Sequence, residues 1–272
     1  MTLIHAFILG IIQGLTEFIP VSSTAHLLIG QTLFGIPSDG RIFSFQVIIQ
    51  LGTVLALLLF FWRDFWQIIK SFIIGILNRR PFENYESQLG WLVIIATIPA
   101  LVVGYFVKDV VETLFRDAAF QAGMRLLISA GLLAAVEYFG QRRRRLESAT
   151  WLDALAVGVF QILAIFPGAS RSGSTIAGGM IRGFDRPSAA RFAFLMSAPI
   201  LMAAGAYETL QVIEMPGTRA FLPYLATGFV AAAVVGWLSI KWLMAYLSQH
   251  SLYIFAVYCA AVGSIVLLFQ FR

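Results

Sequence analysis

The chain has 272 residues, of which 59% are hydrophobic and 12% charged, and its mean hydropathy is +0.84. Soluble domains carry about 45–50% apolar residues, so this composition excludes a soluble globular protein and predicts a single integral membrane domain over residues 1–272. The net charge of +5 comes from basic residues between apolar segments rather than from a basic stripe, which argues against nucleic-acid binding.

Two short apolar helices open the chain, at about Leu3 to Phe18 and about Ser22 to Phe34, with a break at Pro20. Each is shorter than the roughly 20 residues that span a bilayer. We therefore predict a re-entrant hairpin, whose turn at membrane depth must be covered by protein or line a wet cavity. Residues Val21 to Ala25 are the expected floor of that cavity.

The first hairpin is followed by an interfacial helix and by longer apolar segments. Phe65 to Leu77 is amphipathic, with Trp66 at the level of the lipid headgroups. The segments long enough to cross the membrane are predicted at about Phe43 to Trp62, Leu89 to Val107 and Ala119 to Phe139.

The second half has the same layout. A short helix from Trp151 to Phe166 is broken at Pro167, and another is predicted from Ile176 to Arg182. Three longer segments complete the chain, at about Ser188 to Leu210, Phe221 to Tyr246 and Leu252 to Phe271. We predict an all-α polytopic fold with repeat one over about 1–140, a basic cytoplasmic loop at 141–148 and repeat two over about 149–272.

Residue patterns support the repeat. Gly10-Ile-Ile-Gln13 precedes Pro20 and two serines, and Gly158-Val-Phe-Gln161 precedes Pro167 and Ser170. Because each half has a re-entrant hairpin plus three transmembrane helices, the second half starts on the opposite side of the membrane. This predicts an inverted-topology repeat with its site near the midplane. The positive-inside rule places the loop at 141–148 in the cytoplasm and opens the first hairpin to the outer side.

Candidate functional residues of the first hairpin begin with Gln13 and Glu17, which share one helix face one turn apart. They could hold a divalent cation or position a water, or Glu17 could simply be a buried carboxylate paired with a base. Polar groups are costly in hydrocarbon and mark functional sites. Those that follow closely are Ser22, Ser23, Thr24 and His26.

The second hairpin carries Arg171 among residues 170–175. A helix N-terminus with an arginine is suited to binding phosphate. Helix capping is the simpler role for its hydroxyls, but capping does not explain an arginine at membrane depth. The other candidates of this stretch are Ser170, Ser172, Gly173 and Thr175.

Further polar residues of the apolar segments are weaker candidates for functional roles. Arg125, Glu137 and Arg191 are expected to pair internally or to extend to an interface, and Glu208 to end a helix. Gln46 and Gln50 either line the cavity or join helices.

These motifs resemble one enzyme family over almost the whole chain. The pattern from Gln13 to His26, Pro-Gly-x-Ser-Arg-Ser-Gly-x-Thr at 167–175 and the segment Phe45 to Gly52 are similar to the undecaprenyl-diphosphate phosphatase, or bacitracin-resistance, family. The chain has Gln13 where many members have Glu, which weakens a metal-binding role for that position.

The resemblance implies hydrolysis of undecaprenyl diphosphate, assisted by Mg²⁺ or Ca²⁺, to supply the lipid carrier of peptidoglycan synthesis in the bacterial cytoplasmic membrane. It implies a membrane-lipid substrate and leaves a homodimer open. Our mechanistic hypothesis makes Arg171 the phosphate clamp and Glu17 the group that holds the cation or polarises the nucleophile. The nucleophile is Ser23, His26 or a water, in that order. The alternative function is a polyprenyl-phosphate flippase or proton-coupled transporter.

Overall fold

The computed structural model describes residues 1–37, 39–113, 118–164, 170–214 and 218–270. Within these ranges the chain forms eleven α-helices and no β-strand. In chain order they are α1 (Leu3–Thr16), α2 (Ser23–Leu33), α3 (Gly40–Phe60), α4 (Trp62–Leu77), α5 (Tyr85–Thr113), α6 (Ala118–Phe139), α7 (Trp151–Ile162), α8 (Arg171–Ile181), α9 (Arg186–Glu214), α10 (Thr218–Leu247) and α11 (Tyr253–Gln270). The predicted all-α fold is confirmed.

Five of the described helices, α3, α5, α6, α9 and α10, contain segments long and apolar enough to cross a membrane. This confirms a multi-pass membrane protein. The apolar part of α11, Tyr253–Phe269, falls just below the length of a full span. The sixth transmembrane helix therefore stays a prediction.

The start of α8 corrects the sequence-based boundary. The helix begins at Arg171 and not at Ile176, because the Ser170 hydroxyl accepts a hydrogen bond from the Gly173 N–H at 3.2 Å and caps the helix. The polar residues therefore form the first turn of α8 itself. The predicted break at Pro167 lies outside the described residues.

The two hairpins repeat the same local design. Helices α2 and α8 each have 11 residues, and they begin ten residues after Gln13 and Gln161 respectively. Each is followed by a glycine with positive φ, 62° at Gly35 and 88° at Gly183, a conformation that glycine adopts without a steric penalty. The sequence likeness between the halves thus extends to where the helices start and stop.

Glycines let the first helix of each hairpin pack closely against a helix of the other half. Helix α1 lies along α10 and α7 lies along α5. A Cβ added at Gly10 would lie 2.4 Å from the Gly228 carbonyl oxygen, and one at Gly158 would lie 2.5 Å from the Ala96 oxygen. The first helix of each hairpin is therefore held by close backbone contacts with a helix of the other half.

The basic loop is fastened to the bundle by two buried carboxylates. Glu137 of α6 pairs with Arg142 and Arg186, so this glutamate is paired internally. It also accepts the Leu252 N–H at 3.0 Å. Because the arginines come from the loop and from the start of α9, the carboxylate ties three parts of the chain together.

Asp153 does the same for the second hairpin. It accepts hydrogen bonds from Arg144 and Arg182, each at 2.7 Å. Its carboxylate also accepts a hydrogen bond from the N–H of Thr150, the residue that caps the start of α7. The bonds to Asp153 raise the pKa of the Arg144 guanidinium. Since Arg182 directly follows α8, one carboxylate binds residues at both ends of the α7–α8 hairpin.

We expect Gly158→Ala to lower thermal stability, because the added methyl group meets the backbone of α5. Overpacking of this kind costs about 1–3 kcal/mol, or roughly 3–10 °C in melting temperature for a chain of this size. The measurement is thermal unfolding of the purified protein in detergent. Gly131→Ala is the matched control, because no atom lies within 4 Å of its added Cβ, and an equal loss there would contradict the packing argument.

Candidate active site

The turn of the first hairpin lies against the start of α8. The Ser172 hydroxyl donates to the Ile19 carbonyl oxygen at 3.4 Å, and a Cβ on Gly173 would lie 3.7 Å from Pro20. Helix α6 supports this junction, because the Ser170 N–H donates to the Ser129 hydroxyl at 3.2 Å. The expected meeting of the two hairpins is thus present in the structure.

A polar cavity of about 130 Å³ lies at this junction. It is lined by Glu17, Ser22, Ser23, Thr24, Gln50, Arg125, Ala164, Ser170, Arg171 and Ser172. A second, much smaller cavity shares Glu17, Arg171 and Ser172 with it and is also lined by Thr175 and Ser197. Most of the candidate residues from both hairpins therefore share one site.

The carboxylate of Glu17 is the centre of the site. One oxygen accepts the Gln13 amide at 2.8 Å and the Ser23 hydroxyl at 2.9 Å. The other accepts the Gln50 amide at 3.4 Å and pairs with the Arg171 guanidinium. Glu17 can therefore be both a functional group of the site and the ion-pair partner of a basic side chain, because that side chain, Arg171, comes from the opposite hairpin.

Ser22 holds the first hairpin in a strained turn. Its φ of 69° and ψ of 90° lie in a region that residues with a Cβ rarely occupy. Such strain is found at active sites when the surrounding structure enforces it. Here the backbone turns sharply enough to bring Ser23, the first residue of α2, back towards Glu17, which lies just before the turn.

His26 is held away from the cavity. Its Nδ1 contacts the Ser22 carbonyl oxygen at 2.9 Å and its Nε2 contacts the Tyr258 hydroxyl at 2.8 Å. The ring also stacks on Tyr258 of α11, with centroids 5.7 Å apart. The described residues that line the cavity thus include Ser23 but not His26.

In the second hairpin, residues that cap or stabilise the start of α8 also line the cavity. Ser170 caps α8 and also lines the cavity. The Thr175 hydroxyl donates to the Arg171 carbonyl oxygen at 2.8 Å, which satisfies that polar group inside the helix. Arg171 itself crosses to the first hairpin, so the phosphate-binding candidate and the carboxylate face each other.

The structure assigns positions to the weaker candidates. Gln50 lines the cavity, which is one of the two roles expected for it, and Arg125 lines it as well, although neither residue belongs to a hairpin. Arg191 pairs with Asp64 of α4. Glu208 does not end a helix: it lies inside α9, is buried, and accepts the Ser44 hydroxyl at 2.6 Å.

The cavity offers few ligands for a resident metal ion. In the described part of the chain no three His, Cys, Asp or Glu side chains cluster as a metal site, and Glu17 is the single carboxylate among the lining residues. Gln13 uses its amide nitrogen as a donor to Glu17. Mg²⁺ is often held by one carboxylate together with substrate phosphates, and these residues fit that mode of binding.

Comparison with known proteins identifies relatives over the full length. The family model described as "Bacitracin resistance protein BacA" matches residues 6–265. Proteins named undecaprenyl-diphosphatase from Chloroherpeton thalassium and Thermomicrobium roseum are 40% and 42% identical, covering 98% of this chain and 96% and 98% of their own length. One from Myxococcus xanthus is 39% identical over 98% of this chain and 89% of its own.

Proposed function

The chain belongs to the bacitracin resistance protein BacA family, and we propose that it hydrolyses undecaprenyl diphosphate to undecaprenyl phosphate and inorganic phosphate. The observation that carries the proposal is the cavity in which a serine, a carboxylate and an arginine from two hairpins meet. Release of the carrier lipid would serve peptidoglycan synthesis and counteract bacitracin. The relatives are named as phosphatases, which favours this function over a flippase or proton-coupled transporter.

Ser23 is the proposed nucleophile. Its hydroxyl donates to Glu17 at 2.9 Å, the arrangement in which a base activates a serine. The Ser23 oxygen attacks the terminal phosphorus, Glu17 accepts the hydroxyl proton, and the bond from phosphorus to the bridging oxygen breaks. Undecaprenyl phosphate leaves, and water then hydrolyses the phosphoserine to release inorganic phosphate.

Arg171 is the proposed phosphate clamp. A guanidinium binds two phosphate oxygens at once, and the charge that develops during phosphoryl transfer needs preorganised donors. Ser170 and Ser172 line the same cavity, so their hydroxyls are expected to contribute contacts to the phosphates. Thr175 and Gly173 support the turn from which Arg171 projects.

His26 has a supporting role in this scheme. With both ring nitrogens engaged by Ser22 and Tyr258, it is placed to fix the start of α2. The hypothesis that His26 is a proton donor, or the base of the second step, requires its ring to leave Tyr258 when substrate binds. Catalytic hydrogen bonds often form only in the substrate complex, so the hypothesis remains a proposal.

We also propose that Mg²⁺ or Ca²⁺ enters with the diphosphate and that Glu17 supplies the protein ligand. The cation would neutralise phosphate charge. The argument rests on the single lining carboxylate, since Mg²⁺ is commonly held by one carboxylate together with substrate phosphates.

The two halves are proposed to be inverted in the bacterial cytoplasmic membrane, with the cavity open to the periplasmic side. The reciprocal packing of α1 on α10 and α7 on α5 supports the inversion. The gathering of loop arginines around Glu137 and Asp153 at one end of the bundle supports a cytoplasmic position for that end.

Ser23→Ala is expected to reduce turnover of undecaprenyl diphosphate by roughly 10³-fold or more, because removal of a nucleophile eliminates the covalent route. Phosphate release by the purified protein measures this. Thr32→Ala is the matched control, since it removes a hydroxyl of the same helix that donates to the Leu28 carbonyl oxygen and does not belong to the described lining of the cavity. Appreciable turnover by Ser23→Ala would exclude an obligatory phosphoserine.

Gln13→Glu should lower the Mg²⁺ concentration for half-maximal activity by about 5-fold or more, because it puts a second carboxylate one turn from Glu17. Titration of phosphate release with Mg²⁺ gives this value. Gln67→Glu adds the same charge on exposed α4 and should leave it unchanged. An unaltered Mg²⁺ requirement in Gln13→Glu would argue against a cation at Glu17.

Thr24→Cys in a Cys259→Ala background tests which side the cavity faces, since Thr24 is exposed and lines the cavity. A membrane-impermeant maleimide added to intact spheroplasts is expected to label it. Arg143→Cys in the basic loop should be labelled only in inside-out vesicles. Labelling of Thr24→Cys only in inside-out vesicles would reverse the proposed orientation.

A further inference from the structure

Tyr258 contacts the active-site hairpin from α11, a helix that belongs to neither hairpin. Its hydroxyl lies 2.8 Å from Nε2 of His26, and the two rings stack with an angle of 8° between their planes. Helix α11 packs along α6, and α6 also contacts α2. The contact between the two rings therefore links the last helix of the chain to the first turn of α2.

The two contacts of the His26 ring determine which nitrogen carries its hydrogen. A backbone carbonyl oxygen can only accept, so Nδ1, which lies 2.9 Å from the Ser22 oxygen, must be the N–H nitrogen. In the neutral ring Nε2 is then the acceptor, and the Tyr258 hydroxyl donates to it. Because the partner of one ring nitrogen sets the hydrogen on the other, Tyr258 favours the tautomer that binds Ser22.

The His26 ring supports the strained turn of the first hairpin. The Ser22 carbonyl oxygen accepts hydrogen bonds from the ring and from the backbone N–H of His26, the latter at 3.3 Å. Ser22 has a φ of 69°, and such a conformation persists only where neighbouring contacts enforce it. The next residue, Ser23, donates its hydroxyl to Glu17. Contacts that hold the turn at Ser22 therefore also hold the proposed nucleophile.

We propose that Tyr258 is a positioning residue that acts through His26. Its hydroxyl keeps the imidazole in the Nδ1–H tautomer, and the imidazole in consequence keeps the turn that presents Ser23. Tyr258 does not belong to the described lining of the cavity, so its action is on geometry and not on the phosphates. Reactive groups need neighbours that fix their geometry in this way. The effect on turnover rests on the proposed function, whereas the tautomer of His26 does not.

Tyr258→Phe keeps the stacked ring and removes only the hydroxyl. A hydrogen bond between neutral groups changes an equilibrium by roughly 3- to 10-fold, so kcat for undecaprenyl diphosphate is expected to fall about 3-fold or more in the purified protein. KM should stay within about twofold of wild type, because the proposed phosphate clamp, Arg171, is unaltered. A smaller fall in kcat would contradict the proposal.

Tyr253→Phe is the matched control. It removes a hydroxyl from the same helix, and Tyr253 and Tyr258 are 43% and 44% exposed. Its kcat should equal that of wild type, and a fall as large as that of Tyr258→Phe would show that loss of any tyrosine hydroxyl from α11 is enough.

A double-mutant cycle tests whether Tyr258 acts through His26. In a His26→Ala background, Tyr258→Phe should change kcat by less than about twofold, because no imidazole remains for the hydroxyl to hold. An undiminished effect in that background would refute the proposal. Where His26→Ala turns over too slowly to measure, the tautomer decides.

The tautomer is read from ¹⁵N-histidine spectra of the full-length protein in detergent. The chain has three histidines, so the His26 signals are assigned by their loss in His26→Ala. At about pH 8, above the ordinary pKa of histidine, wild type should carry its hydrogen on Nδ1, and Tyr258→Phe should show a measurable fraction of the Nε2–H form. An Nε2–H ring in wild type, or an unchanged spectrum in Tyr258→Phe, would overturn the proposal.

Two further outcomes are decided by the same spectra. If Tyr258→Phe does not fold, the tautomer of wild type alone supports or refutes the role of Tyr258. If wild type releases no phosphate but its Nδ1–H tautomer depends on Tyr258, the proposed function fails and the positioning of His26 stands.

Discussion

The carboxylate of Glu17 is the constraint on which the site depends. A charge buried in an apolar bundle is tolerated only when it is paired and hydrogen-bonded, and Glu17 obtains its partners from four helices, α1, α2, α3 and α8. Gln13 precedes it, Ser23 follows the turn, Gln50 comes from α3 and Arg171 from the opposite hairpin. The contacts that satisfy this one buried charge therefore bring the proposed reactive groups together.

The rest of the fold keeps that assembly in place. Close backbone contacts at Gly10 and Gly158 seat the hairpins, and Asp153 fixes both ends of the second one. These contacts lie away from the cavity. These glycine and Asp153 contacts hold the short hairpin helices, which would be only marginally stable on their own, at the spacing that the Glu17–Arg171 pair needs.

In the proposed mechanism the two similar hairpins have different chemical roles. Counted from Gln13 and Gln161, Ser23 and Arg171 occupy equivalent positions, each the first residue of its helix. Glu17 has Ile165 as its counterpart in the sequence. One copy thus supplies a hydroxyl and a carboxylate, and the other supplies positive charge.

Much of this could be predicted from sequence, because the information is local. Hydropathy located the helices, and costly polar residues marked both hairpins. The start of α8 was misplaced, since a serine and an arginine in apolar surroundings resemble a loop until the cap at Ser170 is seen. The position of Arg125 in the cavity was not predicted, because it depends on how α6 packs, which no local pattern encodes, whereas lining the cavity was one of the two roles predicted for Gln50.

The ion pair between Glu17 and Arg171 has a consequence for which anions the cavity admits. Because the guanidinium is already paired with a carboxylate, an anion that binds Arg171 has to compete with Glu17. A diphosphate carries enough charge to displace it. In the proposed reaction the pair would therefore favour multiply charged anions, and it would form again once inorganic phosphate leaves.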